Sequence, residues 1–234
     1  MDTIAFSGPF TLDRSRNAAI QVYEFLREDI VTMVLKPGTT LPRNELSAHF
    51  DLSLTPIRDA LMRLEEEGLV DIFPQHATRV RAINIDSARQ SHFLRLALEL
   101  EIVRTLAASR DMQLVAALEQ LVSQQRVALE HSDLDGFSRA DHAFHQRLYT
   151  AANAGELWRL IRGRSGNMDR LRRLHLPLNG KADAILLDHA EIASAIRAGD
   201  AARAEACLRR HLSGTLSELM VLRDQYPDYW MPGA

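Results

Sequence analysis

The sequence predicts a mainly α chain in two parts, three helices closed by a β-hairpin over residues 1–83 and an all-α antiparallel bundle of six helices over residues 84–234. Three observations predict this. Apolar residues recur at helical spacing through most of the 234 residues. Alternation of apolar and polar residues is confined to residues 69–83, and no strand pattern follows Asp86.

The elements follow in order. Over residues 15–35 the positions Ile20, Val22, Tyr23, Leu26, Ile30, Val31 and Val34 make an amphipathic first helix, stopped at Lys36-Pro37-Gly38. After a short segment, Thr39 to Pro42, the runs RNELSAHF and LTPIRDALMRLEEE predict two short helices separated by Asp51-Leu52-Ser53. Ser53 or Thr55 can cap the second, Pro56 fits its first turn, and Gly68 ends it. Residues 69–73 and 78–83 alternate across Pro74-Gln75-His76-Ala77, which predicts a hairpin. Three helices and a hairpin within about 70 residues make a winged helix-turn-helix, a fold that reads double-stranded DNA. The bundle helices are expected at 87–110, 112–131, 134–153, 155–175, 182–198 and 201–223, with Asp86, Asp133, Asp183 and Asp200 as caps.

Composition narrows the function classes. Hydrophobic residues make up 46% and charged residues 25%, which excludes disordered and fibrous proteins. Cys207 is the only cysteine, so a disulfide framework or a multi-cysteine metal site is excluded and a reducing cytoplasm is expected. No apolar run reaches the roughly 18–20 residues that cross a bilayer, and the start MDTIAFSGPF lacks a secretion pattern, so no membrane partner is expected. The net charge is −3, and residues 1–83 hold nine basic against twelve acidic residues. Counterion release depends on local phosphate contacts, so DNA binding survives this balance but must rest on a few placed arginines.

The second helix of a helix-turn-helix contacts bases near its N-terminus, which singles out Ser53, Leu54, Thr55, Ile57 and Arg58. Arg58 suits guanine edges or phosphate, while Ser53 and Thr55 suit phosphate oxygens. The plainer alternative pairs Arg58 with Glu45 on a solvated surface. Arg43, Arg58, Arg79 and Arg81 are the residues for a basic face, with Glu65 to Glu67 at the far end of the helix.

The run LKPGTTLPRNELSAHFDLSLTPIRDALMRLEEEGLVDIFPQHATRV resembles the DNA-binding domain of the GntR family of bacterial transcription regulators. The resemblance rests on Pro-Gly, a spaced Leu, Ser-x-Thr-Pro-x-Arg-x-Ala-Leu and Glu-Gly-Leu-Val. It implies that Arg43, Ser53, Thr55 and Arg58 touch DNA and that the wing near Gln75 and His76 approaches the minor groove. The chain departs from the family at Leu54, where an arginine is common, and at the wing tip, where Gln75-His76-Ala77 replaces a glycine.

Seven of the nine histidines fall in the second half. Asp141 and His145, four residues apart on one helix, share a face. His189 and His211 lie on later helices that can point into the same interior. Three imidazoles and a carboxylate suit a divalent ion, zinc foremost, with nickel, manganese or iron(II) also suited. Spacing alone equally describes an Asp and His pair on a solvated helix. The winged helix followed by about 150 helical residues, with Asp-x3-His, a second His 44 residues on and a third 22 beyond, resembles the FadR C-terminal (FCD) effector domain, and six helices point to its VanR-like branch. The resemblance implies that Asp141, His145, His189 and His211 bind a divalent metal at the floor of an effector pocket. It also implies that Arg95 faces that pocket to bind a carboxylate, the alternative being a pair with Glu99; Asn167 and Arg170 are further effector candidates. His131, His142 and His175 are read as surface residues, and Cys207 as a small buried filler.

The expected function is a ligand-responsive transcription regulator, a repressor that binds palindromic operator DNA as a homodimer and responds to a small organic acid, with coupling through residues 83–87. The alternatives are a metal-dependent hydrolytic enzyme built on the histidine and aspartate site, for which Glu191 is the best base, and a DNA-binding regulator whose metal is purely structural.

Overall fold

The computed structural model describes residues 4–73, 78–178 and 180–231. It is mainly helical, as the sequence predicts, and its residues group into two compact units, one of Met1–Ala88, Gly163–Arg173 and Val221–Ala234 and the other of Arg89–Arg162 and Leu174–Met220.

The first unit begins with helix α1 (Ala18–Val31), where the Asn17 side chain accepts from Ile20 N. Strand β1 (Thr40–Leu41), helices α2 (Arg43–Phe50) and α3 (Leu54–Glu66), and strands β2 (Val70–Ile72) and β3 (Thr78–Val80) follow. The expected hairpin forms by antiparallel pairing of Val70 with Val80 and Ile72 with Thr78. The segment before α2 adds β1 as a third strand on β3, Thr40 opposite Arg79, giving the order β1-β3-β2. Gly68 closes α3 with φ +72°, a conformation costly for residues with a Cβ. Leu26, Ile30, Ile57, Leu61, Leu64 and Val80 form a buried core. A contact outside the helical pattern comes from the stretch before α1: Phe6 stacks on His49 and Phe10 meets the edge of Phe50 at 4.8 Å.

The helical half comprises α4 (Ile85–Ser109), α5 (Met112–Glu130), α6 (Leu134–Ala151), α7 (Gly155–Arg162), α8 (Gly166–His175), α9 (Lys181–Ala198), α10 (Ala201–Ser217) and α11 (Leu219–Gln225). Two of the six expected helices are thus each divided among the described residues. Residues 155–175 break at 163–165, between Gly163 and Gly166, and residues 201–223 break at Glu218. Asp133 and Asp200 cap α6 and α10 as expected, but Asp86 and Asp183 lie inside their helices, and Asp111 caps α5 by accepting from Gln113 N and Leu114 N.

In the second unit α5 packs on α6 and α9, and α9 on α10. Leu118, Phe144, Leu148, Ile192 and Leu208 are wholly buried there. Burial of such side chains, worth about 1.5–3 kcal/mol each relative to exposure, holds the helices that carry Asp141, His145, His189 and His211.

The α8 segment and the last residues pack within the first unit. Asn167 Oδ1 accepts from Asn84 N (2.9 Å), Asn167 Nδ2 donates to Ser87 Oγ (3.2 Å), and Arg170 donates to the Arg81 carbonyl (2.6 Å). Arg27 on α1 holds Glu67 at 2.9 Å and Asp169 at 3.6 Å. Ile83 N donates to Tyr229 O and Met231 N to Ile83 O, a short parallel pairing with the chain end.

Candidate metal centre and nucleic-acid interface

In the first unit Ser53, Thr55 and Arg58 stand exposed at the start of α3, Arg43 at the start of α2 and Arg79 on β3. Ser53 occupies the N-cap position but makes no capping hydrogen bond with its side chain, so its hydroxyl is not consumed by the helix. Arg58 lies 3.7 Å from exposed Asp59 and not on Glu45, a surface pair worth little. Ile57 is wholly buried, which corrects its place among the groove-facing positions: it faces the core with Ala60 and Leu61. Leu54 is half exposed and presents an apolar surface at the tip of the helix. Arg81 leaves the basic face, because Asp71 holds it at 2.6–2.7 Å. The acidic end of α3 is also engaged, Glu65 accepting from Ile72 N and Glu67 from Arg27 and Tyr23, whose hydroxyl is pushed up to about 12 by burial and by that carboxylate. Gln75 and His76 lie outside the described residues.

In the second unit Asp141 and His145 of α6, His189 of α9 and His211 of α10 come together, all buried, with one ligand atom from each lying within 4.8 Å of every other. The Nε2 atoms of His145 and His189 are 3.1 and 3.2 Å from His211 Nε2, and Asp141 Oδ1 is 4.0 and 3.6 Å from the first two. Phe144 stacks on His189 at 4.0 Å and fixes the plane of its ring.

The outer nitrogens decide what the inner ones can do. Glu99 accepts from Arg95 Nε (2.6 Å) and from His145 Nδ1 (2.8 Å). Burial opposes its charge, but Arg95 and then His145 outweigh burial and bring the carboxyl down to about 2, so it is ionised and the shared proton sits on His145 Nδ1. Gln125 Oε1 accepts from His189 Nδ1 at 2.8 Å, and Asp188 Oδ2 lies 3.9 Å from His211 Nδ1. His145 is lowered from its ordinary value by burial first and then by Arg95, which keeps it neutral. With Nδ1 of His145 and His189 protonated, their Nε2 lone pairs face the centre, and His211 can donate to one of them only. Such a cluster repels itself until a cation enters. Two nitrogens held about 2.1 Å from one ion at near right angles would be about 3 Å apart, close to the spacings found, so the donor set fits a divalent ion.

The expected effector residues take other partners. Arg95 is buried and its Nε holds Glu99, the pair given as the alternative to a ligand contact, while its Nη2 is enclosed with no hydrogen-bond partner among the described residues. Asn167 and Arg170 are directed to Asn84, Ser87 and Arg81 of the first unit. Arg170, wholly buried, is lowered to about 9 by burial and by Arg81. His175, expected at the surface, is 3% exposed and contacts Thr215 Oγ1 at 3.3 Å. Glu99 and Gln125 were not identified as outer partners from sequence. Their signal was a polar residue on a helix face otherwise buried: Glu99 precedes Ile102, Val103 and Leu106, and Gln125 follows Leu118 and Val122.

A three-stranded winged helix-turn-helix with exposed arginines, followed by a helical domain with an enclosed cluster of histidine and aspartate side chains, is the architecture of a DNA-binding regulator with a second, helical domain. Residues 18–80 match the family model "Bacterial regulatory proteins, gntR family" and residues 90–214 the FCD domain. The chain belongs to the GntR family of transcriptional regulators and carries an FCD domain. It is 32% identical over 210 residues to the HTH-type transcriptional repressor RspR of Escherichia coli (strain K12), covering 90% of this chain and 92% of that protein. It is 34% identical over 214 residues to an uncharacterized HTH-type transcriptional regulator of Streptomyces ambofaciens, covering 91% and 89%. The fold matches E. coli McbR/YncC with a TM-score of 0.75 at 22% identity, covering 90% of this chain and 99% of the other. A GntR regulator from Rhodococcus sp. RHA1 matches with 0.71 at 22% identity, covering 87% and 97%.

Proposed function

We propose that this regulator is a cytoplasmic repressor of the VanR-like branch that binds a palindromic operator as a homodimer and is governed by a small organic acid bound at a divalent metal, zinc foremost, with nickel, manganese or iron(II) as the other candidates. It is not an enzyme on this reading. The observation that carries it is the convergence of Asp141, His145, His189 and His211 with imidazole lone pairs facing one another and the outer nitrogens of His145 and His189 held by Glu99 and Gln125. A metal there would supply an electrophilic anchor for a carboxylate oxygen. Glu191, the base that hydrolysis would need, accepts instead from Arg210 (2.8 Å) and Cys207 (3.3 Å).

On the DNA side, Arg43, Ser53, Thr55, Arg58 and Arg79 supply the contacts, and a two-fold protein reads a two-fold site. The repressor RspR is a relative over nine-tenths of the chain, which supports repression. Coupling passes through residues 83–87, whose backbone and side chains are held by Asn167 and by residues 229–231. Effector and operator then change each other's affinity by the same factor.

Protein purified without chelator is expected to carry one divalent ion per chain by elemental analysis, and His189→Ala to carry none. The wild type should shift DNA from upstream of its own gene, with an organic acid weakening that shift in the metal-loaded protein alone. A metal-free protein that responds equally to the acid would overturn the reading.

A further inference from the structure

Ser53, Leu54, Thr55 and Arg58 face solvent at the tip of α3. Arg58 has polar partners on DNA in guanine edges and phosphate, and Ser53 and Thr55 in phosphate oxygens, but Leu54 has none. It is the first residue of α3 and stands 49% exposed, whereas Leu52, two positions earlier, packs against the core and Ile57, three later, is wholly buried. The turn that presents it is held on both sides. Asp51 leads the chain out of α2 with φ +50°, Leu52 N donates to the Ser47 carbonyl at 3.2 Å, and Ser47 Oγ donates to the Leu52 carbonyl at 2.5 Å. An apolar side chain held in water where a reading helix meets base edges adds nothing to the core, so its burial falls to the partner. The major-groove edge of the bases offers one apolar group, the C5 methyl of thymine, and every other distinguishing group there donates or accepts. Leu54 and Arg58 lie one turn apart on one face, about 6 Å along α3, or about two base steps. Met62, 48% exposed on the same helix, is the contrast: it is two turns further from the tip and lines a groove with Asp59, Arg63 and Glu66, two of them carboxylates that repel phosphate.

We infer that Leu54 is a specificity-determining residue that buries the C5 methyl of one thymine in each operator half-site, about two base pairs from the position reached by Arg58. The inference rests on the operator reading proposed above, with α3 in the major groove. Leucine makes no hydrogen bond to a base, so it discriminates by what it covers. A methyl gains by leaving water against it, while an amino or carbonyl group at the same place loses its water and finds no partner. The same contact therefore favours 5-methylcytosine over cytosine at that position.

The test begins with selection of a preferred duplex from a random pool by the full-length protein. Each thymine of that duplex is then replaced by deoxyuridine, which keeps the pairing edge and removes the methyl alone. At one thymine per half-site the wild type is expected to lose about four-fold in affinity, the worth of one buried methyl, and about ten-fold or more when both half-sites are changed. Leu54→Ala, checked for folding by circular dichroism, should bind the thymine duplex more weakly and be indifferent to the exchange, while Met62→Ala keeps the full sensitivity. Replacing that thymine by 5-methylcytosine should bind the wild type more tightly than replacing it by cytosine. Wild-type binding unaltered by deoxyuridine at every thymine overturns the inference without any variant, and sensitivity that persists in Leu54→Ala assigns the methyl to another side chain and overturns it too. If no duplex is enriched, or Arg58→Ala binds the enriched duplex as the wild type does, α3 is not the reading helix and the operator reading fails with the inference.

Discussion

In the winged-helix unit Arg43, Ser53, Thr55, Arg58 and Arg79 all face solvent, whereas in the helical unit Asp141, His145, His189 and His211 are enclosed together with Arg95, Glu99 and Gln125. The first set can exchange its hydration for phosphate and base contacts at small cost to the fold, because nothing inside depends on it. The second set must be satisfied internally, since a buried charge without its partner costs several kcal/mol. The difference teaches where to look for each kind of function: exposed contacts are arranged by the fold, while enclosed ones are part of what the fold must balance.

The sharpest way to break this contrast is Glu99→Ala. It strips Arg95 and His145 of their common carboxylate and is expected to cost about 3–5 kcal/mol of stability, read from urea unfolding, with metal affinity falling about 10–100-fold. A loss near that of a surface substitution would mean that the cluster is not held as described. Next comes acidity at His175. Its folded value of about 4 lies below the ordinary 6.5, so the unfolded chain binds the proton first and stability falls as pH drops between those values. The loss is at most about 1.4 kcal/mol per pH unit, and His175→Gln should flatten the dependence of the urea midpoint on pH across that window.

The exposed side gives the converse. Arg58→Ala should leave stability within about 0.5 kcal/mol yet weaken operator binding by about 1–3 kcal/mol in gel shift. Unaltered binding would remove Arg58 from the interface. The smallest effect is expected from Leu54→Arg, which restores the family's common charge at the helix tip and should steepen the salt dependence of binding by about one phosphate contact.

The contrast also explains what was legible. The winged helix was readable because its signals are local: Pro37-Gly38, the alternation ending at Val80, and Gly68 after Glu67 each act on their own neighbours. The four converging side chains were nameable because resemblance supplied the pairing across helices that spacing leaves open. Glu99 and Gln125 were missed because their partners lie 46 and 64 residues away, on helices whose register no local pattern fixes. For Arg95 the i, i+4 spacing allowed a pair with Glu99 as readily as a ligand contact, and that the pair forms depends on burial, which spacing does not give. The break at 163–165 was hidden because helical apolar spacing continues across it.

The polar edge of α8, through Asn167, Asp169 and Arg170, and the short pairing of Ile83 with residues 229–231 have a consequence for anyone recombining these regulators. A reading head cut after residue 83 would expose Leu69, against which Gly166 packs so closely that a Cβ would lie 2.7 Å away, and would leave Arg27 with one carboxylate where it now has two. A chimera that grafts this head onto another helical domain must therefore carry residues 163–173 and the segment from residue 221 with it, three discontinuous pieces inherited as one.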